Sequence, residues 1–197
     1  DKVKPERFLL PISKKKTHVI EIHAGQITTT DLTISLPHTL NFEPFGGYSK
    51  IAAVERHHNT GKIGVAVAKG YGIRNGAVAS SVSHDSHNII VIGDNDADMA
   101  IAVNEIIRTQ GGYTVVENGK VYETLALPIM GLMSDVGFEN VNEALQRMIQ
   151  KAHQMGVAAQ IDPFVTLSFL ALPVIPELRI TPRGICKMTA KGPVILS

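Results

Sequence analysis

The sequence contains one cysteine, Cys186, and no tryptophan. A single cysteine excludes an intrachain disulfide bond and a zinc site built from several cysteines, and it is typical of a protein in a reducing cytoplasm. No apolar run approaches the roughly 20 residues that a membrane helix needs. The first seven residues are not typical of a signal peptide, and they lack an initiator methionine. We therefore expect a cytoplasmic chain that does not enter a membrane and that is a fragment or a processed product.

The chain also has no strong excess of charge, because its formal net charge at neutral pH is +1. We interpret its one run of like charge, Lys14-Lys15-Lys16, as a solvated loop. Without a basic patch, nothing favours nucleic acid or an anionic membrane as a partner. Hydrophobic residues make up 44% of the 197 residues and charged residues 19%, which is typical of a globular domain with a buried core.

Short segments rich in β-branched residues predict β-strands in the first two thirds of the chain. The predicted strands cover residues 19–22, 26–34, 51–56, 62–68, 77–82, 113–116 and 121–125. The pair Asn118-Gly119 between the last two strands predicts a hairpin.

Apolar residues at helical spacing predict two main amphipathic helices, at residues 96–109 and 140–155. From Asp162 onward, apolar runs separated by prolines predict extended chain that wraps a core. These elements together predict an α+β fold with antiparallel or mixed β-sheets. No GxGxxG motif, phosphate-binding loop or complete βα barrel is present. The methionines that we expect to fill the core are Met130, Met133, Met148 and Met155.

The strongest functional signal is a polar run that we call the histidine loop (residues 83–88). It lies between two segments rich in valine and isoleucine, which predicts a loop between two strands. A loop that only turned the chain would use glycine, proline, asparagine or aspartate, whereas this one combines groups that bind ligands and exchange protons. The candidate catalytic residues are His84, Asp85 and His87, and the candidate substrate-binding residues are Ser83, Ser86 and Asn88.

Two interpretations of the histidine loop stay open. It could perform general acid–base chemistry or bind a metal, or it could be a turn in which Asp85 and Ser86 cap backbone amides. Two histidines and one acid are an incomplete set of metal ligands, so we expect no permanent metal site built only from this loop.

A second polar cluster, Glu55-Arg56-His57-His58-Asn59, follows a predicted strand. Neighbouring side chains on a strand point to opposite faces, so at most one of its histidines should share a site with the histidine loop. Glu55 and His57 are further candidates for substrate binding. The alternative is an exposed loop with an internal ion pair.

Several short motifs are informative through their order along the chain. They are Val19-Ile20-Glu21-Ile22 with Gly25-Gln26-Ile27, Glu55-Arg56-His57 with Thr60-Gly61, the histidine loop, Leu127-Pro128-Ile129, Gly131-Leu132-Met133-Ser134-Asp135, Asp162-Pro163-Phe164, and Thr166-Leu167-Ser168-Phe169-Leu170-Ala171-Leu172-Pro173-Val174-Ile175-Pro176. Any one of them alone is weak. Together, over nearly the whole chain, they resemble adenine deaminase of the amidohydrolase superfamily, with Met130 standing where a small residue is expected.

The resemblance covers only the C-terminal part of that enzyme. Full-length members carry a metal-dependent barrel upstream, where a His-x-His pair and further His and Asp residues hold the metal. This sequence has no His-x-His pair, and 197 residues are too few to add a complete barrel. The resemblance therefore implies a C-terminal α+β domain at residues 37–197, preceded by a segment, residues 1–36, that continues from the upstream part.

The resemblance also implies a function for the full-length enzyme, which would hydrolyse adenine to hypoxanthine and ammonia in purine salvage with manganese or iron. We expect the fragment alone to be inactive, to bind no metal cofactor, and to contribute the histidine loop to the active site. The loop should then lie at the domain surface, with Asp85 and an imidazole pointing outward. The expected partner is the missing N-terminal barrel domain, and a homo-oligomer stays open. The alternative is a structural or oligomerisation domain with no direct catalytic role.

Overall fold

The computed structural model describes residues 2–13 and 16–196, so Lys14 and Lys15 of the lysine triplet lie outside the described residues. A short 3-10 helix, Pro5–Phe8, precedes the regular elements. These elements are β1 (Thr17–Ile22), β2 (Thr29–Ile34), β3 (Tyr48–Val54), β4 (Ile63–Lys69), β5 (Gly76–Ser80), β6 (Ile89–Gly93), α1 (Asp96–Arg108), β7 (Gly112–Glu117), β8 (Lys120–Ala126), α2 (Phe138–Gln154), α3 (Pro163–Leu170), β9 (Leu178–Thr181), β10 (Gly184–Thr189) and β11 (Gly192–Ile195).

The strands of the described residues form two sheets. Eight strands pair in the order β2-β1-β4-β3-β6-β5-β7-β8, and three more pair in the order β11-β10-β9. The pairing of β1 with β4 is parallel, and the other pairings of the large sheet are antiparallel. The predicted α+β fold with antiparallel or mixed sheets is therefore confirmed.

The central strands are buried on both faces, since every residue of β5 and β6 is buried. Val78 and Ile92 belong to the same core cluster as residues of α2 and α3. Ala79 and Val91 belong to a second cluster with α1 and Phe8. Helices thus cover both faces of the large sheet, which explains why these strands are continuous apolar runs rather than alternating ones.

Local signals placed most elements correctly. Asn95 caps α1 by accepting a hydrogen bond from the Asp98 amide, so the helix begins at Asp96 as predicted. The predicted hairpin connects β7 and β8, and Asn118 and Gly119 both have positive φ angles. Helix α2 begins two residues before the predicted start at Asn140. No helix in the described part of the chain is long and apolar enough to cross a membrane.

The prediction of extended chain from Asp162 onward is wrong, because the chain first forms α3 and then the three-stranded sheet. The Asp162 carboxylate accepts hydrogen bonds from the amides of Phe164 and Val165, and Pro163 occupies the first turn, where a missing N–H is tolerated. Helix α3 is buried on most sides, so its sequence lacks the alternation of polar and apolar faces that predicts a surface helix.

Met148 and Met155 are buried as predicted, but the prediction is wrong for the other two methionines. Met130 and Met133 are 76% and 54% exposed. They lie in a turn beyond the end of β8, where Gly131 packs inward instead.

Strands β1 and β2 pair within the same sheet as β3 to β8. The proposed boundary between residues 1–36 and 37–197 stays a prediction.

Candidate functional site

Three polar loops meet at one edge of the large sheet, because antiparallel pairing brings the end of one strand beside the start of the next. Val54 at the end of β3 pairs with Ile89 at the start of β6, and Ser80 at the end of β5 pairs with Ile90. The loops at this edge are the histidine loop, the Glu55 loop (residues 55–62) and the Met130 turn (residues 129–133).

The backbone of the histidine loop is closed by its own hydrogen bonds and anchored on α3. The His87 amide donates to the Ser83 carbonyl at 2.7 Å, and the Ser83 hydroxyl donates to the Asn88 carbonyl at 2.6 Å. The His84 amide donates to the Ser168 carbonyl of α3 at 3.0 Å.

Exposure differs among the side chains of the histidine loop. Asp85 and Ser86 at its tip are exposed, which agrees with the expected exposure of Asp85. His84 and His87 are half-buried, while Ser83 and Asn88 are buried. The tip of the loop therefore lies at the domain surface, and its two ends belong to the core.

Arg56 joins all three loops and was not among the residues predicted for the site. Its guanidinium donates from Nε to the His87 carbonyl at 2.6 Å and from Nη2 to the Met130 carbonyl at 2.7 Å. Its backbone N–H donates to Asn88 Oδ1 at 3.3 Å. Burial lowers the pKa of Arg56, but an arginine starts so high that it keeps its charge at neutral pH. The only sequence signal was its place between Glu55 and His57.

The Glu55 carboxylate forms hydrogen bonds within its own loop. It accepts hydrogen bonds from the amides of His57, His58 and Thr60 and from the Thr60 hydroxyl, at 2.6 to 3.0 Å. These donors, first of all the Thr60 amide, lower the pKa of Glu55 to about 2. The described residues show no ion pair between Glu55 and Arg56. The geometry gives Glu55 a role in holding the loop.

His57 connects the Glu55 loop to the histidine loop. Its Nε2 lies 2.6 Å from the Ser86 carbonyl, and because a carbonyl only accepts, this nitrogen carries the proton. His58 is exposed and makes no side-chain hydrogen bond within the described part of the chain. One histidine of the pair therefore contacts the histidine loop.

The surroundings of His87 favour its neutral form. Its Nδ1 is buried and has no hydrogen-bond partner among the described residues. Burial lowers the pKa of His87, and the neighbouring His84 and Arg56 lower it further. The His84 ring lies 6.4 Å from the His87 ring and 5.0 Å from the ring of Phe169, measured between centroids. Phe169 of α3 is thus a second residue of the site that loop composition did not indicate.

Residues 26–191 match the family model described as the adenine deaminase C-terminal domain. The chain belongs to this family. It is 48% identical over 181 residues to an adenine deaminase of Desulfitobacterium hafniense (strain Y51), a match that covers 91% of the chain and 32% of that protein. It is 42% identical to adenine deaminase of Bacillus subtilis (strain 168), covering 90% of the chain and 31% of that protein.

A longer match, to adenine deaminase 2 of Carboxydothermus hydrogenoformans, has 40% identity and covers 99% of the chain and 35% of the relative. This adenine deaminase C-terminal domain therefore spans about a third of the length of the curated relatives that it matches. The predicted resemblance is confirmed, including its restriction to part of the enzyme.

The described side chains of this adenine deaminase C-terminal domain do not fit a manganese or iron ion. In residues 2–13 and 16–196, no three His, Cys, Asp or Glu side chains converge into a group that could hold a metal. The polar side chains of the candidate site are arranged instead for hydrogen bonding and for positioning of the loops.

Proposed function

We propose that this domain completes the active site of a longer adenine deaminase by presenting the side chains of the histidine loop. The relatives named adenine deaminase support this enzyme class, and the chain spans about a third of their length. The longer enzyme would act on adenine, with hypoxanthine and ammonia as products, in purine salvage in the cytoplasm. Its manganese or iron would be held by residues outside this domain.

The observation that carries this proposal is the contrast between the backbone and the side chains of the histidine loop. The backbone is held by α3, by Arg56 and by His57. The side chains of His84, Asp85 and His87 form no hydrogen bond or ion pair with any other described residue. A loop that only turned the chain would use such groups to cap backbone amides, as Glu55 does next to it. Fixed backbone with free polar side chains favours a ligand-facing role.

The chemistry of deamination fits these groups. Protons must move from an attacking water to the purine ring and to the leaving ammonia, and imidazoles and carboxylates are suited to such transfers. A neutral His87 can accept a proton or donate a hydrogen bond at neutral pH. His84 and Asp85 would assist it, with Ser86 and Asn88 contacting the substrate.

The remaining part of the enzyme is the partner that we propose for this edge of the domain. Met130 and Met133 are exposed beside the histidine loop, and neighbouring exposed apolar side chains are typical of surfaces that pack against another unit. Most of the length of the relatives lies outside the match, which supports a partner of this kind. A homo-oligomer stays a prediction.

Alanine substitutions of His84 and His87 in the full-length enzyme test the proposal. We expect each to lower kcat by roughly 10²- to 10⁴-fold while thermal unfolding of the domain changes little. Unchanged turnover in both variants would favour the alternative, a structural or oligomerisation domain. The isolated domain should show no adenine deamination even with added manganese, and measurable turnover by it would contradict the proposal.

A further inference from the structure

A cavity of about 420 Å³ lies between the Glu55 loop and the three-stranded sheet. This volume is within the range of roughly 300–1,000 Å³ that is typical of pockets for small organic molecules. None of the described residues that line the cavity belongs to the histidine loop. The cavity is therefore separate from the groups to which we assign proton transfer.

The walls of the cavity are largely apolar. Pro173, Pro182 and Pro193 contribute three rigid rings, and Ile195 adds an aliphatic side chain. The buried Cys186 also lines the cavity. Apolar surface of this kind gains free energy when it is covered by the carbon skeleton of a ligand, because water leaves both surfaces.

Three basic side chains line the same cavity, and they belong to His58, Lys62 and Arg183. All three are exposed, and they form no ion pair with any other described residue. Burial raises the pKa of the Cys186 thiol, and the charge of Arg183 opposes this rise. The Arg183 guanidinium therefore lies within electrostatic reach of the cavity wall, and its donors are available to an anion.

Glu55 is the one carboxylate among the described residues that line the cavity. Its oxygens already accept four hydrogen bonds from its own loop. It forms no ion pair with Lys62 or Arg183 in the part of the chain that the structure describes. The two cations thus outnumber the carboxylate at this cavity, and neither is neutralised by direct contact with it.

We propose that this cavity binds a small organic phosphate, a phosphate monoester whose carbon skeleton is planar. A phosphate group has three terminal oxygens that accept hydrogen bonds and carries up to two negative charges. It therefore matches three separate donors better than a carboxylate does. Arg183 would bind two phosphate oxygens through its guanidinium fork, and Lys62 would contribute a point charge. His58 would donate to the third oxygen, and the planar skeleton would lie against the proline rings.

Titration of phenyl phosphate into the 197-residue chain, followed by backbone amide shifts, tests the proposal. We expect saturable binding that the double substitution Lys62→Gln/Arg183→Gln weakens roughly tenfold, since charge-assisted hydrogen bonds are lost. Both side chains are exposed, so the melting temperature should change little. The control Lys120→Gln removes an exposed cation on β8, away from the cavity, and should leave binding unchanged.

Two partial ligands separate the contributions of the phosphate group and of the ring. Inorganic phosphate should bind more weakly than phenyl phosphate and should respond to the double substitution, whereas any binding of phenol should not. Absence of saturable phenyl phosphate binding would overturn the proposal, as would equal affinities in the double variant and the Lys120→Gln control. The assay contains no adenine and measures no turnover, so its result is independent of the kinetic test of His84 and His87.

Discussion

Arg56 and His87 are joined by a hydrogen bond of 2.6 Å from the guanidinium Nε to the His87 carbonyl. The same guanidinium reaches the Met130 carbonyl, 74 residues away along the chain. A planar guanidinium presents several donors in a fixed fork, so one side chain sets the positions of two loops at once. The position of the His87 backbone therefore depends on a residue that does not need to touch a substrate.

Replacement of Arg56 by lysine should separate the effect of its positive charge on stability from the effect of its guanidinium geometry. Lysine keeps the positive charge but has one flexible ammonium group in place of the fork. We expect the free energy of unfolding to fall by about 1–3 kcal/mol, because the half-buried His87 carbonyl loses its donor. Chemical denaturation measures this change. Arg108→Lys, at an exposed ion pair with Glu105, is the control and should change stability by less than about 1 kcal/mol. Equal effects in the two variants would contradict the role given to Arg56.

Gly131→Ala should disturb the contact between Arg56 and the Met130 turn, because Gly131 lies in that turn. Its φ is +77°, and an added Cβ would lie 2.5 Å from Arg56 Nη2. Gly119→Ala is a matched control, because Gly119 has a φ of +78° and no atom within 4 Å of an added Cβ. Both variants carry the cost of a left-handed alanine. We expect Gly131→Ala to be less stable than Gly119→Ala by about 1–3 kcal/mol, as in overpacked sites. Equal melting temperatures in the two variants would show that the Arg56 side chain moves away from the added methyl group at no cost in stability, which would contradict the prediction.

The Glu55 carboxylate should stabilise the domain in a defined pH range. Its pKa is lowered from 4.5 to about 2 in the folded state, so the unfolded state binds the proton more readily. Its contribution is then complete above pH 4.5 and is lost as the pH falls toward 2. Denaturation at several pH values should show a smaller loss over this range for Glu55→Gln than for the unsubstituted domain. A titration of the Glu55 carboxyl by NMR with a midpoint near 4.5 would contradict the proposed loop-holding role.

Protonation of His87 should destabilise the domain in weak acid. Its pKa lies below the ordinary 6.5 in the folded domain, so unfolded chains bind the proton first as the pH falls. The free energy of unfolding is therefore unaffected by this group above pH 6.5 and declines below that pH. His87 has a φ of 49°, a conformation that asparagine tolerates, so His87→Asn should reduce this decline without straining the loop. The exposed His38 provides the control, and His38→Asn should leave the decline in place.

Short-range signals explain which elements could be predicted. The strands of the large sheet, the Asn118-Gly119 hairpin and the start of α1 each depend on neighbouring residues. The apolar pattern does not predict helix α3, because burial on most sides removes the alternation of polar and apolar faces and leaves the cap at Asp162 as the local signal. The same limit applies to the Met130 turn, where inward packing of Gly131 leaves two methionines exposed.

The sequence by itself determined the family, the order of the main elements and the concentration of polar groups in the histidine loop. Only the tertiary structure decided which role each of these groups has. Glu55 holds its own loop, Arg56 connects three loops, and Asp85 remains free at the surface. The physical reason is that each assignment depends on hydrogen bonds whose partners the fold supplies, in several cases from strands and loops far apart along the chain. Local composition carries no information on such long-range partners.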